Sequence, residues 1–424
     1  MGALSVSENK RMFLRNGKPF LWFGDTCWSA FTNATDEEWD AYLDYRAKQG
    51  FNILQINALP QWDRCKVNGS LYPFPVDETL HFDYSRINDA YFEHAARMCA
   101  KATEHGFIPA IVVMWCNYVP GTWASGVDPN FIMPEAYVPA VVKKIADTFN
   151  PFDPVYLISG DTDWKSDETI ARYRLVSDLM EEYAPDTLKC YHLAGFSDEL
   201  PEEMERHADM YIFQSGHNPE QQGCAVTLSQ SFYRRTPTKP VINSEPCYEQ
   251  MGFGPAGFGR FRRDAVRSAF WNSLLSGASA GITYGANGVW NWQSDNMLEA
   301  SAAEDVFLRG FCSLEAMKLP GAKDYAFGIG LLKERGLYEL TPAQEILTAH
   351  KETIRAARSG KTVLIYNPAN TILTLNGTYG KTAVVYDLET GASTVLPVAC
   401  SNGQSVIGLH PYYADVLMVL NDAE

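Results

Sequence analysis

Ile108-Pro-Ala-Ile-Val-Val-Met-Trp115, then a helical stretch from Pro134 to Phe149, then Val155-Tyr-Leu-Ile-Ser-Gly160 running into Asp161: this passage reads as strand, helix, strand. Apolar runs without polar alternation are what strands become when both faces of a parallel sheet are covered by helices. Side chains just past the C-terminal ends of such strands point into the catalytic mouth of α/β proteins. A second short run, Pro240-Val-Ile-Asn-Ser244, delivers Glu245 in the same way.

The alternation continues outward in both directions. Upstream, Arg11 to Leu14, the turn Arg15-Asn-Gly-Lys18 and Pro19 to Phe23 predict a hairpin whose second strand leads into Gly24-Asp25-Thr26. Thr35 to Glu38 is a capping box that opens a helix ending at Gly50, and Asn52 to Ile56 is the next strand. A helix from Asn88 to His105 precedes Ile108. Downstream come a helix from Ser166 to Tyr183, strands at Leu188–His192 and Met210–Gln214, and a helix near Pro219–Tyr233. The strand at Val241, a helix near Arg260–Ser276 and Gly281-Ile-Thr-Tyr284 complete eight strands. Eight strand–helix repeats over about 300 residues predict an α/β fold, a (β/α)8 TIM barrel. An open doubly wound sheet is the competitor, but Gly24-Asp-Thr-Cys-Trp28 lacks its glycine-rich phosphate turn. After Lys318-Leu-Pro320 the texture becomes short runs separated by Asn-Pro, Asn-Gly and Thr-Gly turns, which predicts a small C-terminal antiparallel β-sandwich. The expected division is 1–320 for the barrel, with its N-terminal hairpin, and 321–424 for the sandwich.

Composition narrows the function. A net charge of -16 argues against nucleic acid or an anionic membrane surface as partner, because both call for basic patches. No run approaches a membrane span and Met1 to Lys18 lacks the regions of a signal peptide, so a cytoplasmic location is expected. The nine cysteines are scattered without a Cys-x-x-Cys pair, which suits free thiols better than disulfides or zinc. The first strand lacks the His-x-His of metal-dependent barrels, and no G-x-S-x-G elbow advertises a serine nucleophile. No metal or organic cofactor is expected. Oligomeric state is left open.

Asp161 and Glu245, after strands four and seven, fit glycosidic-bond hydrolysis: one carboxyl protonates the leaving oxygen while the other attacks the anomeric carbon or activates water. Either acid alone reads as a helix cap or surface ion pair; the pair, among aromatic neighbours, favours catalysis. Mutual repulsion should raise the pKa of one of them. Trp22, Trp28, Trp115, Trp164, Trp290 and Trp292 lie at or near strand ends, interleaved with Asp25, Asn57, His192, Gln214, His217 and Asn243. Flat rings stack on the C–H faces of sugars while amides and imidazoles meet their hydroxyls, so the mixture resembles a carbohydrate cleft. Trp22, inside a strand, is equally readable as core. The connection from Leu59 to Ile87, with Trp62, Tyr72, Phe74 and Phe82, reads as a packed wall of the site, and Gly252 to Gly259 as a second lid. A catalytically silent carbohydrate-binding barrel is the alternative from another functional class.

Asn16-Gly-Lys-Pro-Phe20 with Trp22-Phe-Gly-Asp-Thr-Cys-Trp28, Ser159-Gly-Asp161 and Asn243-Ser-Glu-Pro-Cys-Tyr-Glu249 together resemble the apiosidase-like proteins of glycoside hydrolase family 140. The resemblance spans nearly the whole chain and implies the same barrel followed by a small sandwich. It also implies Asp161 as general acid/base and Glu245 as nucleophile, with Asp25, Tyr248 and Glu249 near the sugar. The implied reaction is removal of a terminal branched pentose, apiose, from a plant pectin side chain. Retaining enzymes of the wider clan place Asn-Glu after strand four, where this chain has Gly160-Asp161. A cytoplasmic location would suit imported oligosaccharides or small plant glycosides as substrates.

Overall fold

The computed structural model describes residues 2–61, 71–76, 81–293 and 308–421, so Trp62 lies outside the described residues. Eight parallel strands form the barrel: β1 (Trp22–Thr26), β2 (Ile53–Asn57), β3 (Ile108–Trp115), β4 (Val155–Gly160), β5 (Lys189–Cys190), β6 (Tyr211–Phe213), β7 (Val241–Asn243) and β8 (Gly281–Tyr284). β8 pairs back onto β1, with Gly281 opposite Trp22 and Tyr284 opposite Asp25. The two remaining sheet ends, β5 and β6, meet where the Asp209 N–H donates to the Lys189 carbonyl at 2.8 Å. A helix follows each strand: α1 (Asp36–Lys48), α2 (Asp89–Glu104), α3 (Val138–Phe149), α4 (Asp167–Tyr183), α5 (Glu202–His207), α6 (Cys224–Tyr233), α7 (Arg263–Ser276) and α8 (Gly321–Glu334). The expected capping box is in place, Thr35 accepting from the Glu38 N–H while the Glu38 carboxylate accepts from the Thr35 N–H. Among the described residues no helix is long and apolar enough to cross a membrane.

The Asn-Gly turn behaves as read: Asn16 and Gly17 have φ of 52° and 71°, the left-handed pair that a two-residue hairpin requires. The hairpin strand ends at Phe20, however, and β1 begins afresh at Trp22. Asp25 therefore lies inside a strand and obeys its two-residue pleat. Trp22 faces the lumen, donating its indole N–H to Thr283, whereas Phe23 stacks on Phe51 outside the sheet. Asp25 falls on the Phe23 side, fully buried between the strands and α1. It accepts from Tyr42 at 2.6 Å and Arg46 at 2.5 Å. The expected sugar contact for Asp25 is thus corrected to a barrel-to-helix bolt. Burial opposes the charge on Arg46, but Asp25 outweighs it and holds the guanidinium above its ordinary range. Arg46→Met strands a buried carboxylate and should destabilise the protein by about 3–5 kcal/mol. Urea denaturation of Arg46→Met beside Arg46→Met/Asp25→Leu checks this; the double variant should recover part of the loss, and equal midpoints for wild type and Arg46→Met would contradict it.

The eighth helix moves the expected domain boundary. α8 packs Tyr325 against Phe270 of α7, at 4.7 Å between centroids, and against Tyr284 of β8, so Gly321–Glu334 belongs to the barrel. The sandwich begins after it. Its eight strands, from Thr341–Pro342 to Val416–Asn421, form one antiparallel array. Ser393–Ser401 joins its two halves, pairing first with Thr382–Tyr386 and then with Gln404–Ile407. Val363, Ile365, Val416 and Met418 fill the interior of the sandwich, while the alternate residues Leu364, Tyr366, Leu417 and Val419 join the core of the barrel. That sheet is covered on both faces, which explains its unbroken apolar runs. Arg267 of α7 crosses the junction, bonding Asp415 at 2.6 Å and Asp324 at 2.9 Å. This side of the sandwich is a buttress against the barrel.

Candidate active site

Asp161 is the first residue past β4 and turns sharply, with φ of 50°. Gly160 precedes it for a steric reason: a Cβ there would come within 2.1 Å of the Trp115 ring, which lies over the backbone. The Asp161 N–H donates to Nδ1 of His192 at 3.1 Å, and its carbonyl accepts the Trp123 indole N–H at 2.8 Å. Backbone and neighbours thus fix this residue, which lines a cavity at the C-terminal mouth of the barrel.

Glu245, past β7, is 6% exposed and sits between two histidines. His217 Nε2 is 2.9 Å from Oε1, and His192 Nε2 is 3.2 Å from Oε2. Each imidazole is locked from behind: Nδ1 of His217 accepts the Tyr248 N–H at 3.3 Å, as Nδ1 of His192 accepts that of Asp161. A backbone N–H can only donate, so in both rings the proton sits on Nε2 and is aimed at Glu245. The His192 contact is looser than that of His217, and the Tyr248 hydroxyl also reaches the Glu245 carboxylate. Burial opposes ionisation of Glu245, but the contacts from His192 and then His217 outweigh it and hold the carboxyl down to about 2. One acid is therefore kept ionised by histidines, where sequence reasoning expected repulsion to keep the other protonated.

A single imidazole spans the two acids, since His192 touches the Asp161 backbone with one nitrogen and Glu245 with the other. Aromatic rings pack round it. Trp28 and Trp115 lie 5.3 Å apart and 5.6 and 5.8 Å from His192, and Tyr248 lies 4.4 Å from His217. The Tyr248 hydroxyl accepts the Trp28 indole N–H at 3.0 Å; burial and then the charge on Glu245 push its phenol well up, so it stays protonated. The Trp115 indole N–H, Asn57 Oδ1 and Gln214 Oε1 are buried without hydrogen-bond partners, as polar groups awaiting a ligand would be. Asn57 holds Gln61 with its amide nitrogen.

The cavity beside Asp161 measures about 570 Å³ and takes in Trp123, Phe196, Gln214, His217 and Phe253. Phe253 comes from Gly252–Gly259, the stretch read as a lid. Phe74 and Phe82, from the other stretch read as a wall, pack with Tyr84, Tyr118 and Phe131 into one aromatic cluster that does not line this cavity. Trp123 and Phe196 were missed because both sit in connections without a periodic signal. Phe196 adopts φ of 67°, at a cost of roughly 1–2 kcal/mol for a residue with a Cβ.

Several expected sugar contacts are elsewhere. Asn243 is fully buried, donates to Ser215 and Ser273 at 2.9 Å and faces α7. Glu249 is 1% exposed and accepts from Tyr284 at 2.6 Å and from the Gly321 N–H at 2.8 Å, tying β8 to the start of α8; burial pushes its carboxyl up. Trp164 packs on Tyr173 and Tyr191, in the layer between sheet and α4. Trp290 is 4% exposed and spends its indole N–H on Asn287. For Asn243, Glu249 and Trp164 the correction has the same cause as for Asp25: they face the helix layer.

The barrel and the acids at its C-terminal mouth fit a glycoside hydrolase, and the family match makes the chain one, with carbohydrate as its substrate. The model of the apiosidase-like catalytic domain matches residues 7–339, and the chain belongs to that family. Among solved structures it is similar to a glycoside hydrolase with 19% identity and a TM-score of 0.81, covering 99% of this chain and 97% of the other. A glycoside hydrolase family 5 protein from Bacteroides vulgatus has 20% identity and a TM-score of 0.81, over 99% and 94%. A putative glycoside hydrolase from the same organism has 17% identity and a TM-score of 0.69, over 99% and 82%. At such identities the likeness is one of fold. No curated protein matches the sequence.

Proposed function

We propose that the protein removes a terminal pentose, an apiose-like furanoside, from plant-derived oligosaccharides or glycosides with retention of configuration. Glu245 attacks the anomeric carbon while Asp161 gives its proton to the departing oxygen, leaving a glycosyl ester on Glu245. Asp161, now a carboxylate, takes a proton from water as that water displaces Glu245, restoring both groups. The observation that carries this reading is the buried Glu245 carboxyl gripped between His192 and His217, which favour its ionised form, and joined through His192 to the backbone of Asp161. A nucleophile must be ionised at working pH, and two imidazole N–H groups accomplish that in a dry setting. The pentose assignment draws on the family match. A panel of 4-nitrophenyl glycosides tests it: the apioside should be hydrolysed well above arabinofuranoside and hexopyranosides. A hexopyranoside as best substrate would overturn the sugar assignment, and binding without release of any aglycone would favour the silent binding barrel.

A further inference from the structure

The 570 Å³ cavity has Asp161 in its wall but not Glu245, which lies behind His217. A general acid must reach the oxygen of the leaving group, whereas the nucleophile approaches the opposite face of the sugar. The cavity therefore lies on the leaving-group side. Its wall next to the acid is the Trp123 ring, whose indole N–H is fixed on the Asp161 carbonyl. Phe196 and Phe253 supply two more rings. Phe196 is held in the left-handed conformation with its ring against Gly216, where a Cβ would come within 2.6 Å of it. Strain of this kind, sustained by packing, marks a side chain whose placement is used.

The same wall carries the Glu220 carboxylate, and among the described residues no lysine or arginine lines the cavity. Proteins that recognise carboxylates supply arginine or lysine for the purpose. The whole chain, at -16, adds a field that repels anions. We propose that this cavity is the aglycone site and that it selects a neutral, ring-bearing aglycone, such as a phenolic or other aryl group, over a carboxylate-bearing uronate. The inference rests on reading Asp161 as the acid/base, and it narrows the natural substrates to small neutral glycosides in preference to acidic pectin fragments.

Two matched pairs of substrates carrying the preferred terminal sugar test it in the wild-type enzyme. The first pair is the 2-phenylethyl and ethyl glycosides, whose alcohols have similar acidity; the ring should raise kcat/KM roughly ten-fold through burial and stacking. The second is the glycoside of a galacturonic acid and of its methyl ester, which differ in charge; the ester should be favoured roughly ten-fold. Phe253→Ala should shrink the first ratio and the exposed Glu220→Lys the second. Ratios near one in both wild-type pairs, or a preference for the free uronate, would overturn the aglycone proposal while leaving the hydrolase reading intact. Failure to turn over any of the four would overturn both.

Discussion

Glu245→Gln should lower kcat about 10⁴-fold or more on every substrate, with the fold retained. The amide occupies the same volume but cannot form the glycosyl ester, and it presents an NH2 group to one of two imidazoles whose Nε2 protons already point at it. Because the volume is unchanged, circular dichroism should be unchanged while activity is lost. A second consequence separates Glu245 from an ordinary buried acid. Its carboxyl falls from an ordinary 4.5 to about 2, so ionisation contributes stability that is complete above pH 4.5 and lost as pH falls toward about 2. Wild type should lose more of its urea midpoint across that window than Glu245→Gln does. Parallel profiles for the two proteins would mean that the histidines do not hold the charge.

Asp161→Asn should lower kcat/KM by about 10²–10⁴-fold for alkyl glycosides, whose leaving oxygen needs a proton, and far less for 2,4-dinitrophenyl glycosides, whose leaving group departs unaided. The dependence on leaving-group acidity is the informative part, since a mere packing defect would depress both substrates alike. Uniform loss across leaving groups would remove Asp161 from the role of acid. The two acids act on one bond in the same step, with His192 held between the Asp161 backbone and the Glu245 carboxylate. Their effects are expected to be less than additive.

The barrel was legible in the sequence because its strands are short apolar runs bracketed by strong helix signals. β3, β4 and β8 fall where Ile108–Trp115, Val155–Gly160 and Gly281–Tyr284 predicted. Less legible was which way a residue near a strand end points. Asp25 and Asn243 were read as mouth residues, but each belongs to a strand and follows its pleat outward to a helix. A shift of one residue in where β1 begins and ends decides this, and composition does not encode it. Glu249 and Trp164 were misplaced for a related reason: loops can return to the helix layer, as the bonds of Glu249 to Tyr284 and Gly321 show. The histidine clamp was hidden too. His192, His217 and Glu245 come from three connections, and their shared geometry exists only once the barrel closes. The depressed carboxyl of Glu245 is a property of that closure and of no local motif.

The central claim, that Glu245 is the nucleophile that works with Asp161 across the barrel mouth, is tested most directly by a 2-deoxy-2-fluoro glycoside of the preferred sugar carrying a good leaving group. Intact-protein mass spectrometry should show one fluoroglycosyl adduct per chain, and peptide mapping should place it on Glu245. An adduct on Asp161 or any other residue, or no adduct while the parent glycoside is still hydrolysed, would contradict the account.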